Sequence, residues 1–424
     1  MSPDPPVAVG LGLNSRRLHD EDAAVSDEAA AIALAGLPGI GPASLSHLLA
    51  GAGGPSAAWE AVRSGRSGRP GKVADGTPSW QVAAARTDPQ RCREAASERG
   101  IGVTWLGRPD YPLRLASDPF PPPVLFWRGD LAALSGRCVA VVGTRRCTPA
   151  GRRLAWELGA DLASAGLCVV SGLALGIDGH AHLGACAAGP HGATVGVAAS
   201  GVDVAYPRRH AALWERVVER GAVISETAPG GPAQRWRFPA RNRIIAGSCE
   251  LVVVVESHSG GGSLLTVEAA LDRGVEVRAV PGPVHSSASE GTNQLLFEGA
   301  GPVRSAADVL DALGGLGAGR RPRSRPGIRQ AGSAHTPAAD SPAGHTPAGP
   351  EPATRVQAQD RQRAGGPTDR RSAEVLDALG WEPTSLNRVV VRSGLPVSQV
   401  IESLERLADH GSVAEERGWW QRIG

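Results

Sequence analysis

Between residues 137 and 313, short apolar runs alternate with segments of helical character, and this alternation constrains the fold more than any other feature of the chain. A run of about five apolar residues bounded by turn residues is typical of a strand that is buried on both faces. Strands of this kind joined by helices predict a parallel sheet covered by helices on both sides. We therefore predict an α/β fold with a Rossmann-like, doubly wound parallel sheet. Its strands are expected at residues 138–142, 167–170, 193–198, 222–225, 251–255 and 275–280.

The turns that follow these strands are rich in glycine and arginine. Because ligands of such sheets bind outside the carboxyl ends of the strands, these turns should meet along one edge. Glycine-rich turns at helix N-termini present backbone N–H groups and favour anions. The sequence therefore predicts an anion-binding rim, formed by GTRR (143–146), SGLALGID (171–178), SGVDVAYP (200–207), FPARNRIIAG (238–247) and SGGGS (259–263).

The stretch FPARNRIIAG places Arg241, Asn242 and Arg243 just before an apolar strand. We interpret it as a cationic loop that holds an anion through its two guanidinium groups. Almost every basic residue of the chain is an arginine, with Lys72 as the only lysine. The planar guanidinium group suits phosphates and stacks on bases, which favours a nucleic-acid ligand.

Signatures of catalysis are absent from the sequence. GTRRCTPAG lacks the GxGxxG of a dinucleotide site, SGGGSLLT lacks the lysine of a P-loop, and no GxSxG nucleophile motif occurs. Asp178 and His180 have no identifiable third partner, and Asp178 suits the start of a helix. Glu226 and Glu268 lack a recognisable partner for acid–base chemistry, and the six cysteines have no zinc-like spacing. We therefore predict a binding module with no catalytic residue, no cofactor and no metal.

Charge and composition limit the cell compartment and the kinds of partner that we expect for the protein. The formal net charge is +2, with 42% hydrophobic and 20% charged residues, so nucleic-acid binding would depend on local basic clusters. No window reaches the roughly 18 apolar residues of a membrane span. The N-terminal residues lack the order of a signal peptide. We expect a cytoplasmic protein with reduced thiols.

Composition also divides the chain into regions. The predicted regions are a disordered tail (1–27), a helical domain of SAM or helix-hairpin-helix type (28–100), the Rossmann-like domain (101–314), a disordered linker rich in Pro, Gly and Arg (315–371) and a winged helix (372–424).

The sequence allows more than one role for the N-terminal helical domain and for the C-terminal winged helix. The turn at 38–42 has backbone amides that could face a phosphate, or it could serve only packing and partner recruitment. The third helix of the winged-helix region carries Glu402, Glu405 and Asp409 against Arg406. A helix that reads DNA is usually more basic, so this region favours a protein-contact or regulatory role.

An ordered set of motifs resembles the DprA/Smf family, the DNA-processing proteins of natural transformation. The motifs are VAVVGTRR, VVSGLALGID, GVDVAYP, ISETAPG, FPARNRIIAG, VVVVES with GGGSLLT, and AVPG. The resemblance covers residues 100–314 closely, and FPxRNRIIAG together with SGxAxGID is highly specific. It implies a homodimeric protein that binds single-stranded DNA, protects incoming DNA and loads the RecA recombinase during transformation or homologous recombination.

By position, the resemblance also implies a set of DNA-binding residues. Phe238 would stack on a base, while the neighbouring arginines and asparagine hold the strand. Groups that contact the backbone in this way give no sequence readout. The implied set is Gly143, Thr144, Arg145, Arg146, Ser171, Gly172, Gly176, Arg235, Phe238, Arg241, Asn242, Arg243, Gly262 and Ser263.

Two positions depart from the family pattern. Thr144 replaces the usual serine and keeps its hydroxyl group. Leu175 stands where the family commonly has arginine or another polar residue. The corresponding phosphate contact would be missing, or supplied by Arg146 or Arg208.

Two other functions fit parts of the sequence. A nucleoside-monophosphate phosphoribohydrolase of the lysine-decarboxylase-like type has a glycine-rich turn that SGGGSLLTVEAAL loosely echoes, with Glu268 as the candidate acid. A transcription regulator could act through the winged helix, although the acidic third helix speaks against it.

Overall fold

The computed structural model describes residues 25–67, 79–189, 192–317, 370–379, 384–416 and 419–423. Most of the predicted N-terminal tail and of the predicted linker lies outside these ranges. Within them, no helix combines the length and the apolar character needed to cross a membrane.

A nine-stranded sheet forms the centre of the molecule. Its strands are β1 Gly102–Trp105, β2 Val124–Gly129, β3 Cys138–Val142, β4 Cys168–Ser171, β5 Ala193–Val197, β6 Gly221–Ser225, β7 Leu251–Val254, β8 Glu276–Ala279 and β9 Gly301–Pro302. Their order across the sheet is β1-β2-β6-β5-β4-β3-β7-β8-β9. Strands β3 to β9 are parallel, whereas β1 and β2 form an antiparallel edge. The predicted α/β class with a doubly wound, mostly parallel sheet is confirmed.

Helices cover both faces of this sheet. They are α6 Leu113–Ala116, α7 Pro149–Ser164, α8 Ile177–Ala187, α9 Ala211–Arg220, α10 Arg237–Gly247, α11 Leu264–Leu271, α12 Glu290–Phe297 and α13 Ala306–Gly317. Along β3, Val139 and Val141 join the core cluster with α7, α8 and α13. Ala140 and Val142 join the cluster with α10 and α11 on the other face. This alternation is the period-two pattern of a strand that is buried on both sides.

The direction of winding reverses between β3 and β7. The chain runs from β3 outward through β4 and β5 to β6, and then returns to β7 on the other side of β3 before continuing to β8 and β9. In a doubly wound sheet, the ligand site lies at such a reversal, outside the carboxyl ends of the strands.

The N-terminal helices share a core with the antiparallel edge of the sheet. They are α1 Asp27–Ala35, α2 Pro42–Ala52, α3 Pro55–Arg63, α4 Trp80–Ala84 and α5 Pro89–Glu98. Ser26 caps α1, and proline occupies the first turn of α2, α3 and α5, where its missing N–H group leaves no hydrogen bond unmade. One apolar cluster joins Leu34 and Trp59 to Phe126 of β2 and Trp214 of α9.

The C-terminal region has the element order of a winged helix. Its elements are α14 Arg370–Leu379, β10 Thr384–Ser385, α15 Leu386–Ser393, α16 Val397–Asp409, β11 Val413–Glu416 and β12 Trp419–Arg422. The three strands form a small sheet in the order β10-β12-β11. A separate apolar core that includes Val375, Val389 and Leu404 holds the region together.

One local prediction is wrong: the stretch 238–247 is not a loop but the helix α10, Arg237–Gly247. Pro239 lies in the first turn of this helix, where proline is tolerated. Ile244 and Ile245 are buried against the sheet. The two arginines at 241 and 243 are therefore held by a rigid element.

Candidate nucleic-acid interface

A cavity of about 460 Å³ lies at the winding reversal, outside the carboxyl ends of β3 and β7; we name it the rim cavity. Its walls are the turn after β3, one face of α10 and the glycine-rich turn that precedes α11. The cavity brings together nine of the predicted residues: Gly143, Thr144, Arg145, Arg146, Phe238, Arg241, Asn242, Gly262 and Ser263.

Helix α10 supplies one continuous wall. Phe238, Arg241, Asn242 and Ile245 all line the cavity. Their spacing of i, i+3, i+4 and i+7 puts them on one face of a helix. The wall therefore carries an aromatic ring, a cation and an amide side by side.

Two aromatic rings and a guanidinium group meet at the mouth of the cavity. The rings of Tyr206 and Phe238 have centroids 5.4 Å apart and are tilted by 54°. The guanidinium carbon of Arg145 lies 5.0 Å from the centroid of Phe238, a cation–π distance. Sequence reasoning missed Tyr206 as a site residue, although the aromatic end of SGVDVAYP was a usable signal.

Arg241 forms the floor of the site and is almost fully buried, with 6% of its surface exposed. Its Nη1 donates to the carbonyl oxygens of Gly172 and Val197, while its Nε has no partner among the described residues. Burial lowers the pKa of Arg241 to about 10, opposed by the charge of Asp178 and assisted by that of Arg145. A buried cation with an unused donor group favours an anion beside it.

Asp178 is the one carboxylate among the described residues that line the rim cavity. It lies in the first turn of α8 and accepts a hydrogen bond from the Gly172 amide at 3.2 Å, in keeping with its predicted helix-start role. Burial raises the pKa of Asp178, while the charge of Arg241 and bonds from backbone amides act in the opposite direction.

Glu256 fixes the turn after β3. Its carboxylate accepts hydrogen bonds from the Thr148 amide at 2.9 Å and the Thr148 hydroxyl at 2.5 Å, and its carbonyl accepts one from the Thr144 amide at 2.8 Å. The anionic group also lies at the N-terminus of α7, which is electrostatically favourable. Sequence reasoning assigned Glu256 no role, although it follows directly after an apolar strand.

Three predicted residues shape the cavity without lining it. Ser171 is buried, and its hydroxyl donates to the Val141 carbonyl at 2.6 Å. A side chain on Gly172 would meet the guanidinium group of Arg241 at 2.5–2.7 Å, so glycine is required for Arg241 to reach its place. Gly176 has a φ of 82° and packs against the backbone of Thr144 and Arg145. The turn after β4 is thus fitted to the turn after β3.

Arg243, one of the predicted DNA-binding residues, lies apart from the rim cavity. Its side chain is buried on another face of α10, where Nη1 donates to the Phe120 carbonyl at 2.7 Å and Nη2 pairs with Glu226 at 2.5 Å. It does not line the rim cavity. A helix turns by about 100° per residue, so residues two apart point in nearly opposite directions.

The remaining predicted positions lie outside the cavity lining. Arg235 is exposed, and Leu175 is half-buried. Arg146 lines the cavity whereas Arg208 does not, so Arg146 is the better placed substitute for the polar group absent at position 175.

Glu268, the candidate acid of the hydrolase alternative, also lies outside the lining of the rim cavity. It belongs to α11 and pairs with Arg388 and Arg392 of the winged helix. Among the described residues, no cluster of three or more His, Cys, Asp or Glu side chains could hold a metal ion.

Comparisons with known proteins identify the family. The family model for DNA recombination-mediator protein A matches residues 102–314, and the model for the DprA winged helix domain matches residues 359–407. DNA processing protein DprA of Bacillus subtilis is 39% identical over 224 residues, which cover 53% of this chain and 75% of that protein. The chain belongs to the DprA/Smf family.

Other members extend the match. Protein Smf of Escherichia coli is 33% identical over 332 residues, covering 76% of this chain and 80% of that one. The X-ray structure of DprA from Streptococcus pneumoniae is similar with a TM-score of 0.50 and 35% identity, covering 55% of this chain and 80% of that one. The DprA/Smf resemblance seen in the motifs is confirmed, and all residues that line the rim cavity lie within the matched segment 102–314.

Proposed function

We propose that this DprA/Smf protein binds single-stranded DNA at the rim cavity, protects the strand and passes it to the RecA recombinase in the cytoplasm. The observation that carries the proposal is the combination at one site of the Tyr206–Phe238–Arg145 cluster and the buried, incompletely bonded Arg241. The guanidinium groups and turn amides would hold phosphates, and the aromatic rings would hold bases.

Stacking gives the preference for single strands. A base can pack against Phe238 only when it is free of its neighbours, because bases in a duplex are already stacked and paired. A platform of this kind is worth roughly 1–3 kcal/mol per base and does not discriminate among the four bases. The protein is therefore proposed to prefer single strands to duplexes and to bind all base sequences alike.

The proposal is tested with matched oligonucleotides, one single-stranded and one duplex of the same sequence, by fluorescence anisotropy. We expect the single strand to bind more tightly, and Phe238→Ala to weaken its binding by roughly 1–3 kcal/mol with little change for the duplex. Equal binding of both forms by the unaltered protein, or no binding of either, would overturn the proposal.

The same preparation tests the hydrolase alternative. Release of free base from nucleoside monophosphates would support an enzyme and count against a pure binding function. We expect none, because Asp178 is the only carboxylate among the described residues of the cavity and Glu268 is paired elsewhere.

Two partners complete the proposal. The expectation of a homodimer follows from the DprA/Smf resemblance, and exposed apolar side chains such as Val284 and Phe297 are candidates for the dimer interface. Analytical ultracentrifugation should find a dimer that Phe297→Asp weakens.

RecA loading should appear as faster RecA assembly on a single strand that has been covered beforehand by this protein.

A further inference from the structure

A second cavity lies between the N-terminal helices and the sheet, and we name it the interdomain cleft. Its volume is about 570 Å³, comparable to ligand pockets in general. One wall is the turn between α1 and α2 at residues 35–42, and another is the segment after β6 at 226–237. The third wall is helix α10.

Helix α10 separates the interdomain cleft from the rim cavity. Arg237, Ala240, Arg241 and Ile244 line the cleft with the spacing i, i+3, i+4 and i+7, as Phe238, Arg241, Asn242 and Ile245 line the rim cavity. Arg241 belongs to both sets. At the N-terminal end of α10, Phe238 lines the rim cavity while Arg237 and Trp236 line the cleft, so a chain-like ligand that leaves the rim cavity past Phe238 reaches the cleft.

Arg241 provides the cleft with a buried polar group that lacks a full set of partners. The residue is 94% buried, since 6% of its surface is exposed, and its Nε has no partner among the described residues. Because the side chain borders both cavities, its positive charge favours an anionic ligand at their boundary.

The charge of the cleft also favours an anion. Arg237 and Arg241 are its cations, and Glu226 is the one carboxylate among its described lining residues. Glu226 is already neutralised by its 2.5 Å pair with Arg243. On the opposite wall, residues 35–42 carry no charged side chain, and the positive end of the α2 dipole begins at Gly41.

An aromatic ring lies at the mouth of the cleft, as in the rim cavity. Trp236 lines the cleft and is 39% exposed, and the guanidinium carbon of Arg237 lies 5.1 Å from its ring centroid. The pairing of an arginine with an aromatic ring thus repeats that of Arg145 with Phe238.

We propose that the interdomain cleft is a second nucleotide subsite, into which a single strand bound at the rim cavity continues past Phe238 to meet Arg237, Trp236 and the turn at residues 38–42. This inference rests on the proposed single-strand function and extends its site to the N-terminal helical domain. It assigns the turn at 38–42 a phosphate-facing role.

The sharpest test changes only the charge of the cleft, with Gly41→Asp compared with Gly41→Asn. Gly41 has an extended backbone with φ −98° and ψ 168°, and no atom lies within 4 Å of a side chain placed there. Both substitutions supply a favourable helix cap, so both variants should fold. Only aspartate adds a negative charge that repels a phosphate.

Affinity is measured for oligothymidylates of increasing length, from one that fills the rim cavity alone to one that spans both cavities. We expect Gly41→Asp to bind the shortest strand like Gly41→Asn but to lose the increase in affinity that length brings. For long strands, the slope of log affinity against log salt concentration should be smaller in Gly41→Asp, by about 0.7 for each phosphate that the cleft no longer binds.

A second pair of variants checks the aromatic part. Trp236→Leu should lose affinity for long strands only, whereas Trp156→Leu, at an exposed tryptophan of α7, should bind every length like the unaltered protein. The inference is overturned if Gly41→Asp matches Gly41→Asn at every length, or if the loss is equal for short and long strands. Failure of the unaltered protein to bind any single strand would instead remove the proposed function, and this inference with it.

Discussion

At the scale of single residues, Arg241 and Arg243 have opposite environments although they are two positions apart on α10. Arg241 touches carbonyl oxygens and leaves Nε without a partner among the described residues, beside an open cavity. Arg243 is neutralised by Glu226 and bonded to the Phe120 carbonyl. The helix rotates about 200° between them, so one guanidinium group serves the site while the other anchors the helix.

Substitution of Arg243 therefore tests stability. Arg243→Ala leaves the mostly buried Glu226 without its partner, and breaking a buried pair in this way destabilises by about 3 kcal/mol or more. Urea denaturation should show this loss, and Arg243→Ala combined with Glu226→Ala should recover part of it. Unchanged stability together with a loss of single-strand affinity would instead indicate that Arg243 contacts the DNA directly.

At the scale of elements, the six strands from β3 to β8 were predictable because each lies in a short, mainly apolar stretch bounded by turn residues. Strand β9 was not, since Gly301–Pro302 contains no apolar run. Helix α10 was missed because its three arginines and its proline are typical of a loop. The spacing of residues 238, 241, 242 and 245 was a helical signal in the sequence, but the burial of Arg241 and Asn242 depends on the sheet and the turns packed around them.

Helix α8 gives the fold a predictable pH dependence. His182 is fully buried, and its Nδ1 lies 2.8 Å from the Thr194 hydroxyl, which itself donates to the Val169 carbonyl. Burial, with a further contribution from His210, lowers the pKa of His182 to about 3. Between pH 6.5 and 3 the unfolded chain binds a proton at this residue that the folded chain does not, so stability falls as the pH falls.

The free energy of unfolding measured at pH 7 and pH 5 checks this expectation. Below about pH 6.5, His182 should lower the free energy of unfolding by up to about 1.4 kcal/mol for each pH unit. The pH dependence of this free energy should be weaker by the same amount in His182→Gln. His47→Gln, at an exposed histidine, is the matched control and should leave the slope as it is. An identical slope for His182→Gln and the unaltered protein would show that His182 is not held neutral by burial.

At the scale of the whole molecule, the winged helix is joined to the sheet domain by a compact ionic contact. Arg388 lies 2.5 Å from the Asp272 carboxylate and also pairs with Glu268, which Arg392 reaches at 3.2 Å. The two acids and the two arginines are each spaced i, i+4: Glu268 lies on α11 with Asp272 at its C-cap, and both arginines lie on α15. The partners belong to regions separated by the predicted linker, so no local pattern in the sequence identified them.

This ionic contact should be sensitive to charge. Arg388→Glu places a third carboxylate against Glu268 and Asp272, and we expect the winged helix to leave α11. Small-angle X-ray scattering should then report a larger radius of gyration, as high salt should for the unaltered protein. Adding Asp272→Arg to Arg388→Glu should restore the compact form. A radius that no charge change affects would show that other interactions hold the winged helix in place.

The central claim, a phosphate and base site at the rim cavity, is tested most directly by the salt dependence of single-strand affinity in Arg145→Ala. Arg145 is exposed at the cavity mouth over Phe238, so its removal should leave the fold intact. Arg153→Ala, at an exposed arginine of α7, is the control. We expect Arg145→Ala to bind single strands more weakly, with a slope of log affinity against log salt reduced by about 0.7, and Arg153→Ala to match the unaltered protein. Equal affinity and equal slope for all three proteins would contradict the assignment of this cavity as the DNA site.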